Sequence, residues 1–307
     1  MKRHALALSV VCALLGATPA LAHNDADECS ARLERPPQVT AVFADPLSLP
    51  TAVEPFTLRL RDVSDSRCAF RISFEDESGR DGLRRQGGRA RLDYRIALDA
   101  AGSTIIFDSE QPNSAFHATG PFGLDGRVTL YLIVDLGSRG REGLYRETIR
   151  AKVLAGGERR PVDEADIQFA ARVPSHVQAF LSGTPSADGG YALLDLQELT
   201  TGETAQAMLR VFATGDFSVS FESEHEGRLA HEDDEDAYVP YEFSADGETV
   251  NLNAALQQRS RGGTSHGNGH DEDRRSVEIP LSVRIGDVTR APAGEYRDRI
   301  TITVTAQ

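Results

Sequence analysis

The sequence predicts an all-β protein: two tandem antiparallel β-sandwiches of Ig-like character, the second of them one strand short. Three observations predict it. Strand-sized runs of alternating apolar and polar residues are separated by clusters of Gly, Pro, Asp and Ser, with few helical patterns and no Trp. The same series of runs occurs twice in the same order. The second series stops one strand before the first does.

The first 22 residues stand apart from the fold. Lys2 and Arg3 precede an apolar run from Ala5 to Ala17 and the small-residue site Ala20-Leu21-Ala22, the pattern of a secretory leader cleaved after Ala22. The run is too short to span a bilayer. Of three cysteines, Cys12 leaves with the leader. Cys29 and Cys68 remain as an even pair in an oxidising compartment and are expected to form a disulfide. The formal charge is −14; without Lys2 and Arg3, 31 basic residues face 47 acidic ones, −16. Such a surface argues against nucleic acid and anionic membranes as partners.

The repeat is visible in five blocks. "FRISFEDESG" (Phe70–Gly79) matches "FSVSFESEHEG" (Phe217–Gly227). "LDYRIALDAAGST" (Leu92–Thr104) matches "VPYEFSADGET" (Val239–Thr249), with Tyr94 against Tyr241. "LYLIVDL" (Leu130–Leu136) matches "PLSVRIG" (Pro280–Gly286). "GLYRETIRAKVLA" (Gly143–Ala155) matches "GEYRDRITITVTA" (Gly294–Ala306). "VTAVFAD" (Val39–Asp45) loosely matches "VQAFLSG" (Val177–Gly183). Matched order and the shared G-x-Y-R-[ED]-x-I make two domains, 23–173 and 174–307, with Pro174 breaking the pattern between them.

After its G-x-Y strand the first copy turns at Gly156-Gly157 and alternates again, with Ile167, Phe169, Ala171 and Val173 on one face. The second copy has only "RDRITITVTAQ" after Tyr296. A sandwich without its last strand leaves a cleft and unpaired edges open to a strand from another chain. Ile300, Ile302 and Val304 are the expected lining, because one face of their strand must meet the core. The alternatives are a six-strand sandwich with a harmless edge, or a closing strand supplied locally by Val177–Gly183.

Two kinds of loop are candidates for binding. In "SEQPNSAFHATGPFGLDG" (Ser109–Gly126), Phe116, Phe122 and Leu124 lie among Pro, Gly and Ser; exposed, they form an apolar contact patch, and folded back, they cap the core. His225, His231, His266 and His270 stand among carboxylates, a composition that suits Zn²⁺ or Ca²⁺, but their spacing fits no defined site and a solvated acidic loop is the stronger reading. No metal or other cofactor is therefore expected. "GLRRQGGRAR" (Gly82–Arg91) and "SRGRE" (Ser138–Glu142) are basic loops, able to meet polyanions or simply solvated. No G-x-S-x-G, P-loop or dinucleotide fingerprint is present, so an enzyme is not expected.

"AGEYRDRITITVTAQ", the preceding "VEIPLSVRI" and "YVPYEFSADGETVNL" resemble the spore coat protein U domain, which builds subunits of archaic chaperone–usher pili. The resemblance covers most of Pro37–Gln307. It implies pilin-like sandwiches completed by a donor strand from a neighbouring pilus subunit, with a periplasmic chaperone and an outer-membrane usher as partners. It also implies passage through the periplasm to a cell-surface pilus. In two-domain members an adhesin domain precedes a pilin domain at the fibre tip, where it would meet a host or abiotic surface. The segment "HNDADECSARLERPP" has no alternating apolar run and is not expected to donate a strand. In such domains a disulfide often stands where Cys29 and Cys68 do; the second copy, without cysteines, departs from the pattern. A free β-sandwich binding module and a pilus-assembly chaperone remain the alternatives, though a chaperone is expected to carry a complete second domain.

Overall fold

The computed structural model describes residues 29–64, 68–76, 82–111, 119–137, 140–156, 160–182, 184–185, 192–253, 259–261 and 276–307. The leader, Phe116, His266 and His270 lie outside them. Among the described residues every regular element is a strand.

The first half contributes β1 (Arg32–Glu34), β2 (Gln38–Val42), β3 (Thr51–Arg61), β4 (Phe70–Glu75), β5 (Leu83–Arg85), β6 (Arg91–Ala97), β7 (Ile105–Asp108), β8 (Gly120–Pro121), β9 (Arg127–Asp135), β10 (Gly143–Ala155) and β11 (Pro161–Val173). They pair in the order β1-β3-β9-β6-β5-β10-β11-β2, with β4 joining β10 and β7 joining β6. Alternation sets the faces: in β3, Ala52, Phe56, Leu58 and Leu60 turn inward while Thr57 and Arg59 turn out. The core they enclose holds Tyr94, Tyr145, Phe43, Phe107 and Phe169. Cys29 and Cys68 are bonded, with Cα atoms 5.9 Å apart, and pack on this core. The expected disulfide is present.

The second half contributes β12 (Val177–Ser182), β13 (Thr184–Pro185), β14 (Ala192–Leu193), β15 (Thr204–Ala213), β16 (Phe217–Ser223), β17 (Arg228–His231), β18 (Tyr238–Ala245), β19 (Glu248–Val250), β20 (Arg259–Arg261), β21 (Ser276–Ile285), β22 (Tyr296–Arg297) and β23 (Ile300–Ala306). One sheet runs β12-β15-β21-β18-β17-β22 and another β20-β16-β23. Between them lies a separate core that includes Phe217, Phe221, Val239, Phe243 and Ile285.

The repeat holds at the level of strand register. Tyr94 pairs with Val134, and Tyr241 with Ile285. Leu58 pairs with Val128, and Leu209 with Ile279. Tyr145 pairs with Arg85, and Tyr296 with His231. Phe70 pairs with Ala155, and Phe217 with Ala306. The two G-x-Y motifs even make the same turn: Tyr145 Oη donates to the Arg141 carbonyl at 2.8 Å, and Tyr296 Oη to that of Pro292, also at 2.8 Å. This is the tyrosine corner of Ig-like sandwiches, a phenol tying its strand to the backbone just upstream. The motif's glycine is explained by the same neighbourhood. A Cβ at Gly294 would overlap the His231 ring, and Gly143 stands at φ +129°, outside the range of most side chains.

Register also corrects two sequence matches. "LYLIVDL" and "PLSVRIG" align one residue out of step with the structure, which sets Leu130 against Leu281 and Val134 against Ile285. Val177–Ser182 is the counterpart of β1, not of Val39–Asp45: it pairs antiparallel with β15 as β1 does with β3, whereas β2 crosses over to run parallel to β11.

Candidate functional site

The two halves part company at one edge. In the first, β10 is covered by β11, antiparallel from Gly143 opposite Val173 to Leu154 opposite Pro161, and β2 then lies along the far side of β11. In the second, β23 pairs with β16, and among the described residues no strand pairs with its other edge. β12 does not close it, because its ladder is made to β15 in the facing sheet.

Exposure records the difference residue by residue. Ile149, Ala151 and Val153 are each 0% exposed. Their counterparts by register, Ile300, Ile302 and Val304, face the second core yet remain half-exposed. Sequence pattern and partner strand are alike in the two halves, so the difference in exposure follows β11, which covers β10 and has no counterpart on β23 among the described residues. The opposite lip is bare as well. Ala179 and Leu181 sit opposite core residues Val211 and Leu209, which puts them on the inner face, and both are exposed, Leu181 by 38%. Tyr145 is fully buried, whereas Tyr296 is half-buried. These positions outline an apolar groove between β12 and β23.

A polar station interrupts the groove wall. The Asp298 carboxyl, only 2% exposed, accepts from Ser223 Oγ at 2.6 Å, from the His225 amide at 3.1 Å and from Tyr241 Oη. His225 Nδ1 lies 3.1 Å from the same carboxyl. Burial first, and the Asp298 carboxyl second, push the Tyr241 phenol well above its usual range. In the first half Tyr94 is shifted the same way, by burial first and then by the charge of Glu147, the counterpart of Asp298. The station pins the start of β23 to β16 and β18 just where the groove opens, so its lip is held although among the described residues no strand covers it.

His231 has a structural role. Its Nε2 lies 3.2 Å from the Ala293 carbonyl, and its Nδ1 accepts from the Asp233 amide at 3.1 Å. Among the described residues no group of three His, Cys, Asp or Glu side chains is placed to hold a metal ion. In the segment Ser109–Gly126, Phe122 packs half-buried on the first core, while Leu124 stands fully in solvent between Gly123 and Gly126. The core-capping reading therefore describes Phe122, and the exposed-patch reading describes Leu124.

No protein-family model matches the chain, and no curated protein does. Among solved structures, one chain of a chaperone–tip adhesion subunit complex of archaic chaperone–usher Csu pili from Acinetobacter baumannii is similar at 13% identity and a TM-score of 0.48, over 89% of this chain and 99% of that one. A tip adhesin from Pseudomonas aeruginosa is similar at 11% identity and a TM-score of 0.31, over 82% of this chain and 86% of its own. The adhesive subunit of the CFA/I fimbria of enterotoxigenic Escherichia coli follows at 12% and 0.34, over 77% and 81%.

Proposed function

We propose that the protein is an exported, non-enzymatic adhesive subunit of a chaperone–usher pilus. Its first domain, residues 23–173, is closed and presents the binding loops. Its second domain, residues 174–307, accepts the donor strand of a neighbouring subunit into the groove beside β23. One observation carries the reading: Ile300, Ile302 and Val304 are half-exposed where Ile149, Ala151 and Val153 are sealed by β11. The resemblance of its motifs to the spore coat protein U domain supports it, and the adhesins among its structural neighbours are of the same kind. A sealed first half beside an open second half suits a fibre tip, with a binding domain ahead of the domain that accepts the strand.

An unpaired edge over an apolar groove is prone to aggregate until it is covered. A periplasmic chaperone is the expected first occupant and the neighbouring subunit the second, delivered through the outer-membrane usher. The test is coexpression with the chaperone and the next subunit of a candidate operon. Stable ternary or binary complexes should form with the wild type. Changing Ile302 to Asp should abolish capture while the first domain keeps its fold. Capture that survives this change would show that the groove is not the acceptor.

A further inference from the structure

We propose that the groove selects a strand bearing an aromatic side chain opposite Asp298 and a small one two residues on, opposite Tyr296. The proposal rests on the reading of the groove as a strand acceptor and adds the chemistry of the partner. The first half supplies the template. Opposite Glu147, the counterpart of Asp298, β11 places Phe169, and opposite Tyr145 it places Ala171. The Phe169 ring is wholly buried, 5.5 Å from Phe56 and 5.9 Å from Tyr94.

Around Tyr241 the same space has been emptied. Phe56 and Ala207 hold equivalent positions, since they pair with the equivalent residues Leu130 and Leu281. Phe107, 5.7 Å from Tyr94, pairs with Ile96, and Val250 pairs with its equivalent Phe243. Tyr94 touches the rings of Phe107 and Phe169, and Phe169 touches Phe56; in the second half Phe107 and Phe56 thus become Val250 and Ala207, and Phe169 has no counterpart among the described residues. The one enlargement, Ile96 to Phe243, is spent on the Phe221 ring 5.1 Å away. Tyr94 and Phe56 are buried, while Tyr241 and Ala207 stay half-exposed. An aromatic ring entering here gains the tilted ring contact with Tyr241 and takes the place that Phe169 takes beside Tyr94 in the first half. At the next inward position the Tyr296 ring leaves room only for a small side chain, as Tyr145 does beside Ala171.

The experiment measures affinity of the full chain for synthetic peptides by calorimetry. The parent peptide has the sequence Asp163–Val173. One variant carries Ala in place of the Phe. A second moves the Phe two residues on and puts Ala in its place. A third replaces the Phe with Leu. Both Ala-bearing variants should bind at least about 30-fold more weakly than the parent, about 2 kcal/mol at 1.4 kcal/mol per tenfold, with the Leu peptide between. Ala207→Phe, which rebuilds the ring that stands 5.5 Å from Phe169 in the first half, should tighten the parent peptide and widen that difference. Should it not fold, the smaller Ala207→Leu serves the same purpose, and the peptide series on the wild type still decides. Equal binding of all four peptides would overturn the aromatic pocket and leave strand acceptance intact. If none binds, strand acceptance itself fails, and the pocket with it.

Discussion

The open edge predicts that the second half can be completed within its own chain. Ala155 and Ala306 hold equivalent positions, paired with Phe70 and Phe217. The sequence of residues 156–173, turn and β11 together, can therefore be grafted directly after Ala306 in place of Gln307. The grafted strand would run back along β23 in the register that β11 takes on β10. Ile300, Ile302 and Val304 would pass from half-exposed to buried. Full burial of such a side chain is worth about 1.5–3 kcal/mol, so roughly a quarter of that at three positions is about 1–2 kcal/mol. The graft's own Ile and Phe add burial, and the ordering of its backbone offsets that gain. Taking about 2 kcal/mol net and roughly 3–4 °C per kcal/mol for a half of this size, the melting temperature of the second half should rise by about 7 °C. Differential scanning calorimetry reads the shift, and binding of a hydrophobic dye should fall in parallel. A control graft with Ser at the Ile167 and Phe169 positions should give neither effect. An unchanged transition with the apolar graft would mean that the edge of β23 is already satisfied, and the acceptor reading would lose its physical basis.

Other consequences are open to simpler assays. Replacing Cys29 and Cys68 with Ser opens a loop spanning 39 positions and should cost the first half about 4 kcal/mol, read as a lower denaturant midpoint that reductant lowers no further. The phenols of Tyr94 and Tyr241 are both held above their ordinary value of 10.0. Raised folded-state values favour the neutral form, so their contribution is complete below pH 10 and is lost as pH climbs beyond it. Circular dichroism should show alkaline unfolding from about pH 10, and Tyr241→Phe should delay the loss in the second half. Tyr145→Phe removes a hydrogen bond to the Arg141 carbonyl and should destabilise the first half by about 1 kcal/mol in chemical denaturation. Leu124→Ser should weaken adsorption to a hydrophobic surface, measured by quartz microbalance, with no change in melting temperature, because that side chain touches solvent alone. Adsorption equal to the wild type would remove Leu124 from the contact surface.

The repeat and the disulfide were legible because each is a one-dimensional pattern. Alternation fixes which face a strand buries, and two copies in one chain let their strands be matched one against another. Pairing partners are a different matter. Val177–Ser182 looks like Val39–Val42 in composition, yet its neighbours make it the counterpart of β1, and alternation alone cannot tell one apolar strand from another. The single-residue slip at Leu130 and Leu281 has the same origin. Nothing in "YRDRI" marks the Asp298 carboxyl as buried. The signal was there in the alignment with Glu147, an acid at an inward position in both copies. Phe122 and Leu124 read alike in sequence, and only the turn at Gly123–Gly126 sends one to the core and the other to water.

The join between the halves has a mechanical consequence. β11 ends at Val173 and β12 begins at Val177, and the residues between are clamped: Thr214 Oγ1 donates to the Pro174 carbonyl at 2.9 Å and accepts from the His176 amide at 2.9 Å. Tension applied to the second half therefore arrives at the end of β11 and pulls along that strand. β11 is gripped on one side by the long antiparallel ladder of β10 and on the other by the parallel strand β2. A pull along a strand loads all of its cross-strand hydrogen bonds at once, whereas a pull across it would break them one after another. The first half thus meets a lengthwise tug in shear, the direction in which a sheet yields last, and a bond made at its far loops can outlast the drag on whatever is tethered behind it.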